Sequence, residues 1–348
     1  MTSRRAVHGA NPACAPVGSR NPEDGYSVLL LVDALSDLLR VVRLDGAFFF
    51  AVEAVAPWSV DTVAARELTP RVMPHADHLI SYHIITDGVC YGGLHGEKPV
   101  ELGPTDVIVF PHGDPHLISS APGVKFTPNI NSTQLVRYPT TVHLGAAGPP
   151  STSFICGFLG CDRGPFNPLL ASLPRVMHLR GMSKNWIGGF TQQLVDESRN
   201  GRAGSESVLT RLAEVMFIEV LRRYVDELPP GQTGWLAGLQ DAMVGRVLML
   251  LHGRPAHPWT LPDLAREAAT SRSALAERFT ALIGQPPIQY LTQWRMQVAA
   301  NLLAQSGAKV SAIGAQVGYD SEAAFSRAFK KATGSAPGAW REGKRADG

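Results

Sequence analysis

Gly318-Tyr-Asp-Ser-Glu-Ala-Ala-Phe-Ser-Arg-Ala-Phe-Lys-Lys-Ala-Thr-Gly334 reads as one helix with an apolar side and a basic side. Phe325, Ala328, Phe329 and Ala332 recur at i, i+3, i+4 and i+7, the spacing of a single buried stripe. Asp320 or Ser321 can cap the first turn, and Gly334 can close the last. Opposite the stripe stand Glu322, Ala323, Ser326, Arg327, Lys330 and Lys331. A shorter helical stretch, 310–317, precedes the segment across Gly318-Tyr-Asp. That is the layout of a helix-turn-helix, whose second helix enters the major groove of DNA.

The pattern occurs twice. A short helix over 261–268 is followed by the turn Ala269-Thr-Ser271 and a second helix over 273–283 that ends at Gly284. Alignment of the two units sets Leu275, Phe279 and Leu282 beside Phe325, Phe329 and Ala332. Thr260 is placed to cap the first unit, with Pro262 in the first turn, where its missing N–H costs nothing. Between the units, 288–305 predicts a helix about 27 Å long at 1.5 Å per residue. With the width of the flanking units it can hold two reading helices about one DNA turn apart, near 34 Å. Trp294, Val298, Leu302 and Leu303 are the residues that would fix this strut to both units.

Charge agrees with this placement. From residue 240 onward there are thirteen Lys/Arg against eight Asp/Glu, whereas the whole 348-residue chain carries 32 and 30. The basic excess is therefore confined to the C-terminal end, as nucleic-acid binding there requires. Four cysteines, Cys14, Cys90, Cys156 and Cys161, make neither a disulfide framework nor a Cys-x-x-Cys motif. No apolar run reaches membrane-spanning length, and the N-terminus lacks a signal-peptide core. These features predict a cytoplasmic protein without a membrane partner.

The N-terminal part reads differently. Residues 1–25 are rich in Gly, Pro, Asn and Ser and predict a disordered leader. A Leu-rich helical stretch, 28–42, follows. Short alternating segments at 47–55, 78–86, 89–95, 100–102, 107–110, 116–119 and 154–158, separated by Gly/Pro/Asp breakers, predict a small antiparallel barrel or sandwich. Two helices at 183–197 and 206–225 form a hairpin with an apolar stripe wide enough to meet both the sheet and a second subunit. Glu227-Leu-Pro-Pro-Gly-Gln-Thr-Gly234 reads as a linker. His75, His78, His83, Cys90, His112, His116, Cys156 and Cys161 could converge on Zn²⁺ or a similar ion, with His83, His116 and Cys156 as the set of choice. Cys156 and Cys161 could alternatively close a redox pair, or Cys156 could be a buried small hydrophobe.

Pro111-His-Gly-Asp-Pro-His116 resembles the second motif of cupin barrels, Pro-x-Gly-x-x-His, and 102–110 resembles the strand that leads into it. Ser81-Tyr-His83 offers one His and no Glu where the first cupin motif supplies a fuller ligand set. The C-terminal residues resemble the AraC family of transcription regulators. Ser271-Arg272, Phe279, Gly284-x-x-Pro287-x-x-Tyr290-Leu291, Arg295, Ile313-Gly-x-x-Val-Gly-Tyr319, Phe325-x-Arg327-x-Phe329-Lys330, Gly334-x-x-Pro337 and Arg341 carry that resemblance. Pro57-Trp58, Tyr82-His83, Cys156-Gly157 and Leu173-Pro174 resemble the cupin-type effector domains of one AraC subgroup. Trp340 stands where the family commonly has Tyr, and Gly314 where Ala is common.

The resemblance implies an α+β chain: a cupin-like antiparallel β-barrel with a helical hairpin, then an all-α domain of two helix-turn-helix units joined by a long helix. The expected boundaries are 1–25 leader, 26–160 effector-binding domain, 161–228 helical dimerisation segment, 229–239 linker and 240–345 DNA-binding domain. It implies DNA-facing positions at Arg272, Ser273, Ala276 and Glu277 in the first unit, and Ser321, Glu322, Ala323, Ser326, Arg327, Lys330 and Lys331 in the second. Arg272 or Arg327 can read guanine, Glu277 or Glu322 can accept from cytosine, and the lysines hold phosphates. Tyr82, His83, His112 and His116 are the expected effector pocket. The implied partners are double-stranded promoter DNA, a second copy of the chain, RNA polymerase if the output is activation, and a small-molecule or metal effector. Competing readings are two enzyme types, a cupin metalloenzyme and a cysteine-based repair module, and a DNA-organising protein without effector, which would bind promoters equally with any small molecule present or absent. The first needs a full metal triad and the second a clustered thiolate site.

Overall fold

In a computed structural model of the chain, residues 33–42, 44–124, 141–162, 164–181 and 202–346 are described, together with Gly189, Gln193, Asp196 and Glu197. The expected leader, the start of the 28–42 helix and most of the 183–197 helix lie outside the described residues. Asp33–Gly348 forms one compact unit.

The chain opens with α1 (Ala34–Val41), capped by Asp33, whose carboxylate accepts the Ser36 amide. Among the described residues ten strands follow, β1 (Leu44–Val55), β2 (Ser59–Thr62), β3 (His78–Gly88), β4 (Cys90–Leu94), β5 (Val100–Leu102), β6 (Val107–Phe110), β7 (His116–Ser119), β8 (Thr141–Gly145), β9 (Thr152–Cys161) and β10 (Met177–Leu179). Two short helices, α2 (Ala65–Val72) and α3 (Pro168–Ser172), interrupt them. The strands make a six-stranded sheet in the order β10-β6-β3-β9-β1-β8 and a four-stranded sheet in the order β2-β7-β4-β5. All pairings are antiparallel except β1 with β8.

Strand alternation divides the six-stranded sheet into two apolar faces. Val52, Ala54, Ile85, Phe154 and Cys156 point inward and pack with Cys90, Leu94, Leu102 and Ile118 of the smaller sheet. Phe49, Ile80, Tyr82, Ile84, Ile155 and Leu159 point outward, where α4 (Ser205–Asp226) covers them with Leu209, Ala213, Met216, Phe217 and Val220. Tyr82 pairs with Gly157 across the strands, and a Cβ on Gly157 would lie 2.0 Å from Tyr82 Cζ. Only glycine leaves room for the ring.

The rest is helical: α5 (Trp235–Gln240), α6 (Ala242–Gly253), α7 (Leu261–Glu267), α8 (Arg272–Ile283), α9 (Pro287–Gln305), α10 (Val310–Gln316), α11 (Glu322–Thr333) and α12 (Pro337–Ala346). The expected linker 229–239 thus contains the start of a helix, and Trp235 and Leu236 are buried in it. The outer-face core continues without a break through Leu248, Leu264, Leu275, Phe279, Tyr290 and Trp294 of the first helix-turn-helix unit. The second unit closes a core of its own from Met296, Ala300, Leu303, Ile313, Phe325 and Phe329. Among the described residues, no helix is long and apolar enough to cross a membrane.

Gly157→Ala is expected to destabilise the chain by about 1–3 kcal/mol, because the new methyl overlaps a buried ring. Urea unfolding reads this, and an unshifted midpoint would contradict the close Tyr82 contact.

Candidate functional site

The two helix-turn-helix units are built alike from their ends inward. Ser271 Oγ accepts the Ala274 amide and Ser321 Oγ accepts the Ala324 amide, each at 3.2 Å. Both reading helices end on a glycine in the left-handed region, Gly284 at φ +81° and Gly334 at φ +77°. Leu275 and Phe279 anchor α8, and Phe325 and Phe329 anchor α11, all fully buried. Ala332 departs from the expected stripe: it is exposed at the end of α11. Gly314 has a packing reason, since a Cβ there would sit 3.1 Å from Phe325 Cβ where α10 crosses α11. Trp340 packs edge-on against Phe329 with ring centroids 5.9 Å apart, so the larger ring is accommodated.

The buried anchors leave the opposite faces open. Arg272, Ser273 and Glu277 are exposed on α8, and Ala276 is half-buried. Ser321, Glu322, Ala323, Arg327, Lys330 and Lys331 are exposed at or on α11, and Ser326 is half-buried. Arg278 behaves differently, since its guanidinium is held by Asp241 at 2.9 Å.

Arg295, in the middle of α9, fixes one unit against the other. Its Nε donates to the Pro255 carbonyl at 2.7 Å and its Nη2 to the His257 carbonyl at 2.9 Å, while its guanidinium lies over Tyr319. In the first unit, Trp235 Nε1 donates to Tyr290 Oη at 2.7 Å, and the Tyr290 hydroxyl shares a hydrogen bond with His252 Nε2 at 2.6 Å. Burial pushes His252 down to about 3, so the ring is neutral.

In the N-terminal domain three of the expected residues meet. His83 and Cys156 are direct cross-strand partners on β3 and β9, and His116 reaches them from β7 of the facing sheet. His83 Nδ1 lies 3.0 Å from Cys156 Sγ, and His83 Nε2 lies 2.9 Å from His116 Nε2. His116 Nδ1 lies 2.9 Å from the Asp114 carbonyl and donates to it. Burial depresses both imidazoles, His116 to about 4, and raises the Cys156 thiol, which Cys90 raises further. With every group neutral, one proton order satisfies the chain: the thiol donates to His83, His83 to His116, and His116 to the Asp114 carbonyl.

This geometry corrects several expectations. Cys156 and His116 sit on opposite edges of the His83 ring, so the three donors lie in a line and do not surround one ion; the set does not fit a metal. Among the described residues, no group of three His, Cys, Asp or Glu converges on a cation position. His112 is exposed, its Nε2 turned to the Leu173 carbonyl at 2.9 Å, and His78 bonds the Pro111 carbonyl at 2.7 Å. Tyr82 is next to His83 in sequence but on the outer face of the sheet, under α4, because neighbouring strand residues alternate. Cys156 and Cys161 are five residues apart on one strand, hence about 16 Å apart on opposite faces, far beyond disulfide reach. Among the described residues neither thiol is in a disulfide.

Together these features describe a DNA-binding protein with two helix-turn-helix heads behind a double-sheet N-terminal domain. A cupin family model matches residues 33–226, and a helix-turn-helix domain model matches residues 264–343. The chain is 30% identical to a putative AraC-like transcription regulator of Streptomyces antibioticus, over 89% of this chain and 99% of that protein. It is 26% identical to the transcriptional regulator AlkR of Acinetobacter baylyi, over 89% of this chain and 99% of that one. Among solved structures, the DNA-binding domain of AdpA in complex with a target DNA matches 30% of this chain and 95% of its own at 30% identity, with a TM-score of 0.29. The chain belongs to the AraC-like transcription regulators that carry an N-terminal cupin domain. It is a DNA-binding transcription regulator.

His116 and His252 are buried neutral, so the unfolded chain takes up their protons first on acidification. Their stabilisation is complete above the ordinary histidine value of 6.5 and is lost as the pH falls towards about 4 for His116 and about 3 for His252. Each group removes about 1.4 kcal/mol per pH unit in that window. Urea midpoints measured from pH 7 to pH 5 should fall, and a flat profile would show that these rings are charged in the native state.

Proposed function

We propose that the chain is a cytoplasmic, promoter-binding regulator, an activator that works with RNA polymerase, and that a small-molecule effector sets its output through the cupin domain. The supporting observation is the pair of like-built reading helices whose buried sides face cores joined by one strut and whose polar sides are open. Arg272, Ser273, Ala276 and Glu277 form the first reading face. Ser321, Glu322, Ala323, Ser326 and Arg327 form the second, with Lys330 and Lys331 on phosphates. The first face is short of long donors, which gives Arg327 the larger share of discrimination. For the effector, the neutral thiol–imidazole chain of Cys156, His83 and His116 is a buried polar feature of a largely apolar inter-sheet space.

The chain acts as a homodimer on this reading. On α4, Val208 and Val215 stand one heptad apart with the half-buried Leu212 between them, and they are 42% and 43% exposed, an apolar stripe on the side turned from the sheet. Regulators of this build gain affinity when two copies bind adjacent half-sites.

Arg327→Ala should weaken binding to a selected duplex by about 1–3 kcal/mol and relax the preference at one base position; unchanged affinity and preference in a titration would remove it from the interface. Val215→Glu is expected to move the sedimentation profile towards monomer, and a profile equal to wild type would place the dimer contact elsewhere.

A further inference from the structure

Two amides on the strut meet the N-terminal domain. Gln297 is 2% exposed, and its Oε1 accepts the Phe166 amide at 3.0 Å. Asn301, one turn further on and on the same face of α9, donates from Nδ2 to the Val41 carbonyl at 2.6 Å. Gly164 lies directly under the Gln297 amide. Its φ is +47°, which favours glycine, and a Cβ there would fall 2.1 Å from Gln297 Oε1, so a larger residue would displace the amide.

The two partners are far apart in sequence but adjacent in the sheet. Val41 ends α1, three residues before β1 begins at Leu44, and Phe166 lies five residues after β9 ends at Cys161. Leu44 and Cys161 are paired across β1 and β9. The strut therefore grips both chains at one end of a strand pair. Farther along that pair, β9 carries Cys156, partnered by Phe50 on β1 and His83 on β3. The grip on β9 is built to hold: Asn167 Nδ2 donates to the Asp162 carbonyl and its Oδ1 accepts the Leu170 amide, which stiffens the loop between β9 and α3.

Apolar contacts between the domains are non-directional and tolerate small slides, whereas a buried amide that loses its partner is left with an unsatisfied polar group. The directional contacts thus define the register of strut against sheet. We infer that Gln297 and Asn301 are positioning residues for DNA binding: through the Phe166 amide and the Val41 carbonyl they convert the state of the β1–β9 strand pair, and so of the Cys156 cluster, into the placement of both reading helices. This rests on the DNA-binding reading above and adds to it the route by which the cupin domain acts.

Coupling of this kind is reciprocal, so DNA that selects the gripped register must in turn hold the cupin domain in it. The buried thiol of Cys156 supplies the readout, since a thiol reagent reaches it only when the sheets open. Labelling of the full-length chain, resolved by residue with mass spectrometry, is compared with and without a duplex that the wild-type protein has selected from a randomised pool. In wild type the duplex should slow Cys156 labelling at least about fivefold. In Gln297→Met with Asn301→Ala, which keeps the volume at 297 but removes both bonds, protection should fall below about twofold although the duplex still binds. Asn301→Ala alone, which removes a half-buried amide, should lose a measurable part of the protection and serves if the double variant does not fold. Protection retained in the variants, or a wild type that binds the duplex without protecting Cys156, overturns the inference and leaves the proposed function standing. A wild type that selects no duplex overturns the function itself.

Discussion

Helix α9 must satisfy three neighbours with one cylinder. Its N-terminal half completes the core of the first helix-turn-helix unit through Tyr290, Leu291 and Trp294, and its C-terminal half completes that of the second through Ala299, Ala300 and Leu303. Between them, Arg295 binds the 255–257 loop of one unit and lies over Tyr319 of the other, while Gln297 and Asn301 bind the N-terminal domain. A helix committed on so many sides has no freedom to rotate about its axis. The angle between the reading helices is set by packing and does not depend on DNA to define it.

The inter-sheet cluster shows how a polar group is tolerated in an apolar space. A charged imidazole between Phe110, Phe154 and the sheet backbone would carry a large desolvation cost, and burial lowers both histidines accordingly. Neutrality solves the problem only if each donor finds an acceptor. The single-file order from Cys156 to the Asp114 carbonyl provides this, and His116 is further held by stacking on Phe110 with centroids 3.7 Å apart. Such a chain is satisfied as it stands, and any ligand that takes one member must offer that member's partner a substitute.

Much of the DNA-binding half was legible because its signals are local. Serine caps, glycine ends and buried apolar residues at i and i+4 lie within a dozen residues of one another, and the structure reproduces them in both units. The cluster of His83, His116 and Cys156 was legible as a set but not as an arrangement. Period-two alternation along a strand is enough to put Tyr82 and His83 on opposite faces, and likewise Cys156 and Cys161. By contrast, nothing local marked Gln297 or Asn301, which read as ordinary polar residues of a helix.

By itself the sequence determined the two reading helices, the strut and the alternating strands, since these depend on backbone capping and side-chain period over one or two turns. The tertiary structure decided which strand faces meet, that the three effector-domain groups stand in line, and that the strut bonds Val41 before β1 and Phe166 after β9, more than a hundred positions away. These are matters of direction and register between distant segments. A buried amide and an exposed one are the same letter until the fold chooses their surroundings.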